Sequence, residues 1–472
     1  MRRIRHNMDL KKTKNTLPEY FVFGSVFLFL ILKFCTLSIR FGDGWTYWYM
    51  THTFLGGALP YRDFFLADPP FLILFFIPFQ FLFGTSSLVF HLLPIFLEVA
   101  SALLIFFILR HEKNQFYFLA PFLYLFSFTV LATSDFFPGM QVAIFLSLLA
   151  ILFSQKGKPV LSGFFWSFAV LTKLYIAPAL IGWMVCLLFQ RRWKQLWRTM
   201  FGGIIATGIV LLPFIFLAWP QIFNDVISFH LQRFEGLSKV NILTYFLQRE
   251  WFFLGVGMIG MVVLRKRFFV LPFIFSATFF LFFQDIYYLY LDTLMPYLIF
   301  ATLSFTEWVW EKFHKKGLLY VLIGVYVFSA LIGVVHYQKQ VFSQNRFLNS
   351  DEVVRAVKAL PDSFPLYGSY EYVPLVALAS GRPIFHVYID TNVQVFRAGI
   401  QNINKISNEA VSEGVYLLTR ATVLSEDGKK DEGYEEYFDA SLFKKYCTRV
   451  AAFSARTPDE GDVGLAMYRC KK

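Results

Sequence analysis

Three carboxylates, Asp43, Asp63 and Asp68, fall within one turn-rich passage, FGDGWTYWYMTHTFLGGALPYRDFFLADPP from Phe41 to Pro70, set between long apolar segments. A carboxylate beside a bilayer is costly unless it is hydrated or paired, so three in one loop mark the floor of a site. Asp43 lies between Gly42 and Gly44, which let the backbone turn sharply and approach a ligand closely. Held partly desolvated at a membrane surface, such a carboxylate has a pKa that tends upward. It can then serve as general base towards an acceptor hydroxyl or amine. The structural alternative is that Asp43 caps a helix starting at Trp45.

The elements that must position this loop are membrane helices. Of the 472 residues, 57% are hydrophobic, 20% aromatic and only 16% charged, whereas an ordinary soluble domain carries about a quarter charged residues. The net charge of +12 lies wholly in the first 335 residues, which hold 27 Lys/Arg against 15 Asp/Glu. Basic residues confined to short loops between apolar spans report topology, which excludes nucleic acid as a partner. The start, with Arg2, Arg3, Arg5, Lys11, Lys12 and Lys14, precedes an apolar run from Tyr20 to Ile39. That run is long enough to span the bilayer and no small-residue cleavage site follows it, so a retained first helix with a cytoplasmic N-terminus (1–19) is expected.

Ten further spans are expected at Ser87–Leu109, Phe116–Ala132, Gly139–Phe153, Leu161–Leu171, Ile176–Phe189, Phe201–Trp219, Phe252–Leu264, Phe268–Phe283, Leu291–Val309 and Leu318–Val335. RHEKNQ, QKGKP, QRRWKQLWR, RKR and EKFHKKG then form the cytoplasmic loops, and 41–70, 134–138, Lys173, 220–249 and 285–290 the outer ones. Counting Phe71–Phe83 as a span would invert every later loop, so it reads as a juxtamembrane helix on the outer interface. The sequence thus predicts a polytopic α-helical membrane protein of about 11 spans over 20–335. A soluble extracytoplasmic α/β domain follows over 336–472, where short strand-like runs alternate with stretches such as Asp351–Leu360. Its extracytoplasmic setting permits a disulfide between Cys447 and Cys470, while Cys35 and Cys186 fall inside spans.

The order of motifs is informative. A first span is followed by Asp43 and Tyr47, then by GGALPYRDFF with Tyr61, Arg62 and Asp63. DPPF with Pro69 and Pro70 comes next, and then an apolar run ending at Phe83-Gly84. This resembles the opening of the polyprenyl-phosphate-sugar glycosyltransferases, the multi-spanning type C superfamily that includes protein O-mannosyltransferases and aminoarabinose transferases. The resemblance covers about the first 220 residues. It implies that Asp43 is the catalytic acid of the first outer loop and Asp135, in ATSDFFPG, the second acidic residue. Lys173, in AVLTKLYIAPAL, is similar to the Thr-Lys that ends a short span near the lipid phosphate. Many relatives carry a Lys before the proline pair; here Asp68 stands there, and Arg62, Lys173 or Arg233 is left to meet the phosphate.

The resemblance implies an inverting glycosyl transfer. A polyprenyl-phosphate sugar donates to a lipid, glycan or protein acceptor, with Tyr47, Tyr61, Arg62, Asp63, Lys173 and Arg233 lining the substrate. Each of these residues also has an ordinary use. Lys173 can snorkel from a span end, Asp135 can cap a helix before Pro138, and Asp63 and Asp68 can be turn residues. Tyr287, Tyr288 and Tyr290, beside Asp285, suit an interfacial aromatic belt, and His230 and Arg233 suit an amphipathic surface helix. No cofactor is expected; isolated carboxylates such as Asp43 and Asp135 fall short of the several oxygen ligands a divalent cation wants. The alternative function is a lipid-linked-sugar flippase or transporter. Such a protein would show paired halves and charges near the midplane, whereas Glu98 and Lys33 are the main ionisable residues within the spans.

Overall fold

The computed structural model describes residues 17–37, 41–234, 236, 238–264, 268–344, 350–422, 433–457 and 461–472. The basic N-terminal run, the end of the first expected span and the Arg265-Lys266-Arg267 loop lie outside them. The chain opens with α1 (Leu17–Cys35), α2 (Gly44–Leu55), α3 (Phe71–Phe83) and α4 (Ser87–His111). The bundle continues with α5 (Ala120–Leu125), α6 (Phe128–Thr133), α7 (Met140–Gln155), α8 (Pro159–Thr172), α9 (Ala177–Phe189) and α10 (Trp193–Ala218). The short turns α11 (Gln221–Phe223) and α12 (Phe229–Gln232) lead to α13 (Lys239–Val263), α14 (Val270–Phe282), α15 (Met295–Phe313) and α16 (Lys316–Gln344). Among the described residues six helices are long and apolar enough to cross a membrane, and five shorter apolar helices accompany them. The protein is a polytopic α-helical membrane protein.

Several boundaries differ from the sequence reading for physical reasons. The expected span Phe116–Ala132 is broken between α5 and α6, because side chains take over the backbone groups that a continuous helix would pair. Ser127 Oγ donates to the Tyr124 carbonyl at 2.8 Å, and buried Glu250 accepts the Thr129 N–H at 2.6 Å. A broken helix inside a bundle persists only where such partners exist. Glu250 itself stands at a kink in α13 (φ −111°, ψ 22°), a helix that starts at Lys239, within the segment read as an outer loop. Helix α10 likewise absorbs part of the QRRWKQLWR loop, and α16 runs on past residue 336 to Gln344.

Helix α3 starts directly after Pro70, as expected of the juxtamembrane element. It buries Leu72, Ile73 and Phe76 and leaves Phe81, Leu82 and Phe83 exposed. Gln80 Nε2 donates to the Trp48 carbonyl at 2.6 Å, tying α3 to α2. Loops read as cytoplasmic meet one another and the end of α15 at the other end of the bundle: Gln155 bonds Glu112 at 2.8 Å, Gln195 bonds Ser154 at 2.6 Å, and Asn114 bonds Glu307 of α15 at 3.1 Å.

The tail is an α/β unit. Strands β1 (Leu366–Gly368), β2 (Val415–Thr422), β3 (Cys447–Thr457) and β4 (Gly461–Cys470) form one sheet in the order β1-β2-β4-β3. The β1–β2 pair is parallel and the others are antiparallel. Helices α17 (Ser350–Lys358), α18 (Val373–Ser380), α19 (Val393–Arg397), α20 (Ile403–Glu413) and α21 (Ala440–Tyr446) complete the domain. Cys447 and Cys470 face each other in the β3–β4 register and are disulfide-bonded.

The tail does not stand apart from the membrane part. Val353, Val357, Val373 and Val376 share one core with Tyr49, Met50, Tyr61, Phe64 and Ile73. The Gly42 N–H donates to the Glu371 carbonyl at 3.1 Å, Thr46 Oγ1 donates to the Tyr370 carbonyl at 3.1 Å, and the Ile384 N–H donates to Tyr49 Oη at 3.0 Å. The Phe41–Pro70 loop is therefore held between bundle and tail.

Candidate active site

Asp43 occupies the residue before α2, yet its side chain makes no capping hydrogen bond. The carboxylate is left for other work. Gly44 is fixed by crowding, since a Cβ there would lie 2.7 Å from the Phe137 carbonyl oxygen and 2.9 Å from the Phe90 ring. That close approach seats the start of α2 on the Ser134–Pro138 turn. A shallow cleft beside it is lined by Gly42, Gly44, Trp45, Phe90, His91, Asp135 and Phe137, so Asp135 and the two glycines flanking Asp43 meet at one end of the bundle.

One turn along α2, Tyr47 enters a buried triad. Lys173 Nζ lies 2.6 Å from Asp68 Oδ2 and 2.9 Å from Tyr47 Oη, and the Tyr47 hydroxyl donates to Asp68 Oδ2 at 2.5 Å. Lys173 also stands over the Tyr47 ring, 4.4 Å from its centre. The lysine interrupts the run of apolar residues as extended backbone between α8 and α9. Gly139, at φ +93°, leaves it room: a Cβ there would come within 3.3 Å of Lys173 Cε and closer still to Leu72. Tyr61 supports the triad from behind by donating to the Asp68 backbone carbonyl at 2.8 Å.

Arg233 supplies the second cation. Its guanidinium lies 2.7 Å from Asp285 Oδ2 and donates to Tyr175 Oη at 3.1 Å, while its Nε is buried without a partner. Tyr175 stacks on Tyr290 with ring centres 4.4 Å apart. Tyr290 and Tyr288 therefore line the interior, where the sequence suggested a lipid-facing belt; Tyr288 Oη pairs with Thr129 Oγ1 at 2.8 Å.

The charges act on one another. Asp43 is exposed on one side, and the protein packed around its other sides raises its pKa above the usual carboxylate value by desolvation. Its own backbone N–H and the positive charges of Lys173, Arg233 and Arg420 hold that rise back. Burial also works against ionised Asp68, but Lys173, His230 and the bonds from Lys173 and Tyr47 outweigh it, and Asp68 stays below the usual range. His230 is lowered to about 4 by burial, with Arg233 and Lys173 adding to the effect, so its ring is neutral at neutral pH.

Not every expected residue joins this group of charges. Arg62 is exposed and pairs with its neighbour Asp63 at 2.7 Å, and Asp63 accepts the Leu59 N–H at 2.7 Å. These two stabilise the surface turn. Asp135 forms an ion pair with Lys33 and accepts the Tyr337 hydroxyl at 3.1 Å. The sequence reading left out Tyr175, Tyr370, Asp390 and Arg420, and counted Asp68 among the three loop carboxylates without giving it a role in binding. Tyr175 carries a signal in following Lys173 by two positions; the three tail residues carry none. Among the described residues no three His, Cys, Asp or Glu side chains gather in a group that could hold a metal ion.

The sequence matches no family profile and no curated protein sequence. Its structure is similar to ArnT from Cupriavidus metallidurans bound to undecaprenyl phosphate, with a TM-score of 0.62 at 13% identity over 95% of this chain and 98% of that one. The apo state of the same protein gives a TM-score of 0.58 at 15% identity, covering 95% and 98% of the two chains. The Archaeoglobus fulgidus oligosaccharyltransferase in its apo form gives 0.55 at 12% identity, covering 95% of this chain and 81% of that one. These likenesses, which run through the membrane part and the tail, show that the chain shares the fold of ArnT and of that oligosaccharyltransferase.

Proposed function

We propose that the protein transfers a sugar from a polyprenyl-phosphate carrier to an acceptor at the extracytoplasmic face of the membrane, with inversion at the anomeric carbon. One observation carries this reading: two cations, Lys173 and Arg233, lie within electrostatic reach of a carboxylate, Asp43, that is unpaired among the described residues and sits at the end of a membrane bundle of this fold. Lys173 and Arg233 receive the lipid phosphate. Asp43 accepts the proton of the acceptor hydroxyl or amine as its oxygen or nitrogen attacks the anomeric carbon. The bond from that carbon to the phosphate oxygen breaks, and its electron pair leaves with the polyprenyl phosphate. The two cations stabilise the charge that grows there.

Asp68 holds Lys173 aimed, so the acid that replaces the family's lysine before the proline pair serves to orient a lysine supplied by another segment. Asp135, engaged by Lys33 and Tyr337, holds the bundle beneath the loop and is a positioning residue in this reading. The test is to supply the purified chain with polyprenyl-phosphate-linked pentoses and hexoses and follow sugar release. We expect transfer that is lost in Asp43→Asn while sugar-free polyprenyl phosphate still binds. Full activity in Asp43→Asn would falsify the assignment of the base.

A further inference from the structure

The tail domain brings a carboxylate of its own, Asp390, on a segment bonded to the loop of Arg233. Asp390 is close enough to Arg233, Asp43 and Asp68 for their charges to act on it, and Tyr47 and Tyr370 lie within its field in turn. Its Oδ1 accepts the Asn392 N–H at 3.0 Å. Among the described residues no other donor reaches the carboxylate.

The segment carrying it is built for position. His386 and Val387 both have left-handed backbone, at φ 43° and 59°, a conformation that a β-branched residue adopts only where its surroundings impose it. Beyond Asp390, Thr391 Oγ1 donates to the Gly368 carbonyl at 2.6 Å. The Gln394 amide oxygen then accepts the Phe234 N–H at 3.2 Å, next to Arg233, and Val395 packs with Phe65 and Phe229. The segment is thus fastened at once to the sheet and to the loop that holds the phosphate-facing arginine.

A sugar bonded to a phosphate held by Lys173 and Arg233 would extend towards Asp43, and the segment carrying Asp390 is fastened on both sides of that path: through Gln394 to Phe234, and through Thr391 to the strand end whose following carbonyls, Tyr370 and Glu371, hold Thr46 and Gly42. Resting on the transfer reading above, we propose that Asp390 hydrogen-bonds a hydroxyl or amino group of the donor sugar, so that the tail domain sets which sugar is accepted. The ionised form is the better acceptor. Burial raises the Asp390 pKa to about 6, with Arg233 opposing the rise and Asp43 and Asp68 adding to it, so sugar recognition strengthens as pH rises through that range.

The test compares wild type, Asp390→Asn and Asp390→Glu in the full-length chain. The panel is a set of polyprenyl-phosphate pentoses and hexoses, with sugar-free polyprenyl phosphate as the reference ligand. Loss of one charge-assisted hydrogen bond should raise the donor KM about tenfold in Asp390→Asn and change the ranking of sugars. Binding of sugar-free lipid should stay within about twofold. Removing a negative charge near Asp43 should also move the acidic limb of kcat/KM to lower pH, and Asp390→Glu should restore that limb without restoring the ranking. Unchanged KM and ranking in Asp390→Asn would overturn the proposal, as would equal weakening of the sugar-free lipid. If wild type transfers no sugar at all, the transfer reading fails first; equilibrium binding of sugar-bearing against sugar-free lipid then still decides the role of Asp390.

Discussion

The bundle contains two Lys–Asp–Tyr triads with the same set of contacts. In one, Lys173 meets Asp68 and Tyr47; in the other, Lys33 meets Asp135 and Tyr337. Each lysine stands 4.4 Å from the centre of its tyrosine ring. Their company differs. Lys33 also donates to the Leu131 carbonyl at 3.0 Å, so its triad fastens α1, the end of α6 and α16. The Lys173 triad lies within electrostatic range of Asp43, His230 and Arg233. A buried ion pair by itself does not separate architecture from chemistry. What separates them is that a second cation, Arg233, acts together with Lys173 on one loop carboxylate, Asp43.

The comparison can be broken at several points. The largest expected effect is on Asp43: Asn there should cut kcat by roughly 10²–10⁴-fold, the usual contribution of a general base. Asp135→Asn should instead lower the melting temperature with the turnover of the folded fraction retained. A large loss of kcat at unchanged melting in Asp135→Asn would make the second triad part of the chemistry.

Next come the paired replacements. Removing one partner of a buried ion pair costs about 3–5 kcal/mol, whereas replacing both by apolar residues is often tolerated. Lys33→Met alone should therefore destabilise strongly, and Lys33→Met with Asp135→Leu should regain much of the stability and retain transfer. Lys173→Met with Asp68→Leu should fold but lose binding of polyprenyl phosphate, measured by calorimetry. Equal lipid binding in the two double variants would erase the distinction drawn here.

The pH profile offers a finer contrast. The base works only when ionised, so kcat/KM should fall as pH falls through the Asp43 pKa, which burial holds above the usual carboxylate value. Lys173→Met removes a charge that favours the ionised form, so the remaining activity should decline at higher pH than in wild type. Lys33→Met should leave that limb in place. The smallest expected effect is Tyr47→Phe, which deletes one hydroxyl between Asp68 and Lys173 and should raise the donor KM about fivefold, in line with a single hydrogen bond of about 1 kcal/mol.

Much of this was legible in residue order. The loop carboxylate Asp43, flanked by glycines, and the lysine that interrupts an apolar run both stand out against membrane composition, and the helix after Pro70 followed from the alternation of charged loops. The Lys173–Asp68 pair was not legible, because it joins positions 105 apart and leaves no local period. Hydropathy could not show that 116–132 is broken, since the residues on both sides of Ser127 are equally apolar and the repair comes from Glu250. Tyrosines at a membrane boundary suit a lipid belt and a site wall alike; only the Tyr175–Tyr290 stack distinguishes the two. Asp390 is one carboxylate among many in a tail of balanced charge, and only the fold brings it within electrostatic range of Asp43.

The bonds from Gly42 and Thr46 to the carbonyls of Glu371 and Tyr370 have a practical corollary for protein engineering. A chimera that borrows its last domain from another protein of this fold inherits foreign backbone above the helix bearing Asp43. Splice points should therefore travel in pairs, one after α16 and one around the first loop, so that both halves of the seam come from a single parent.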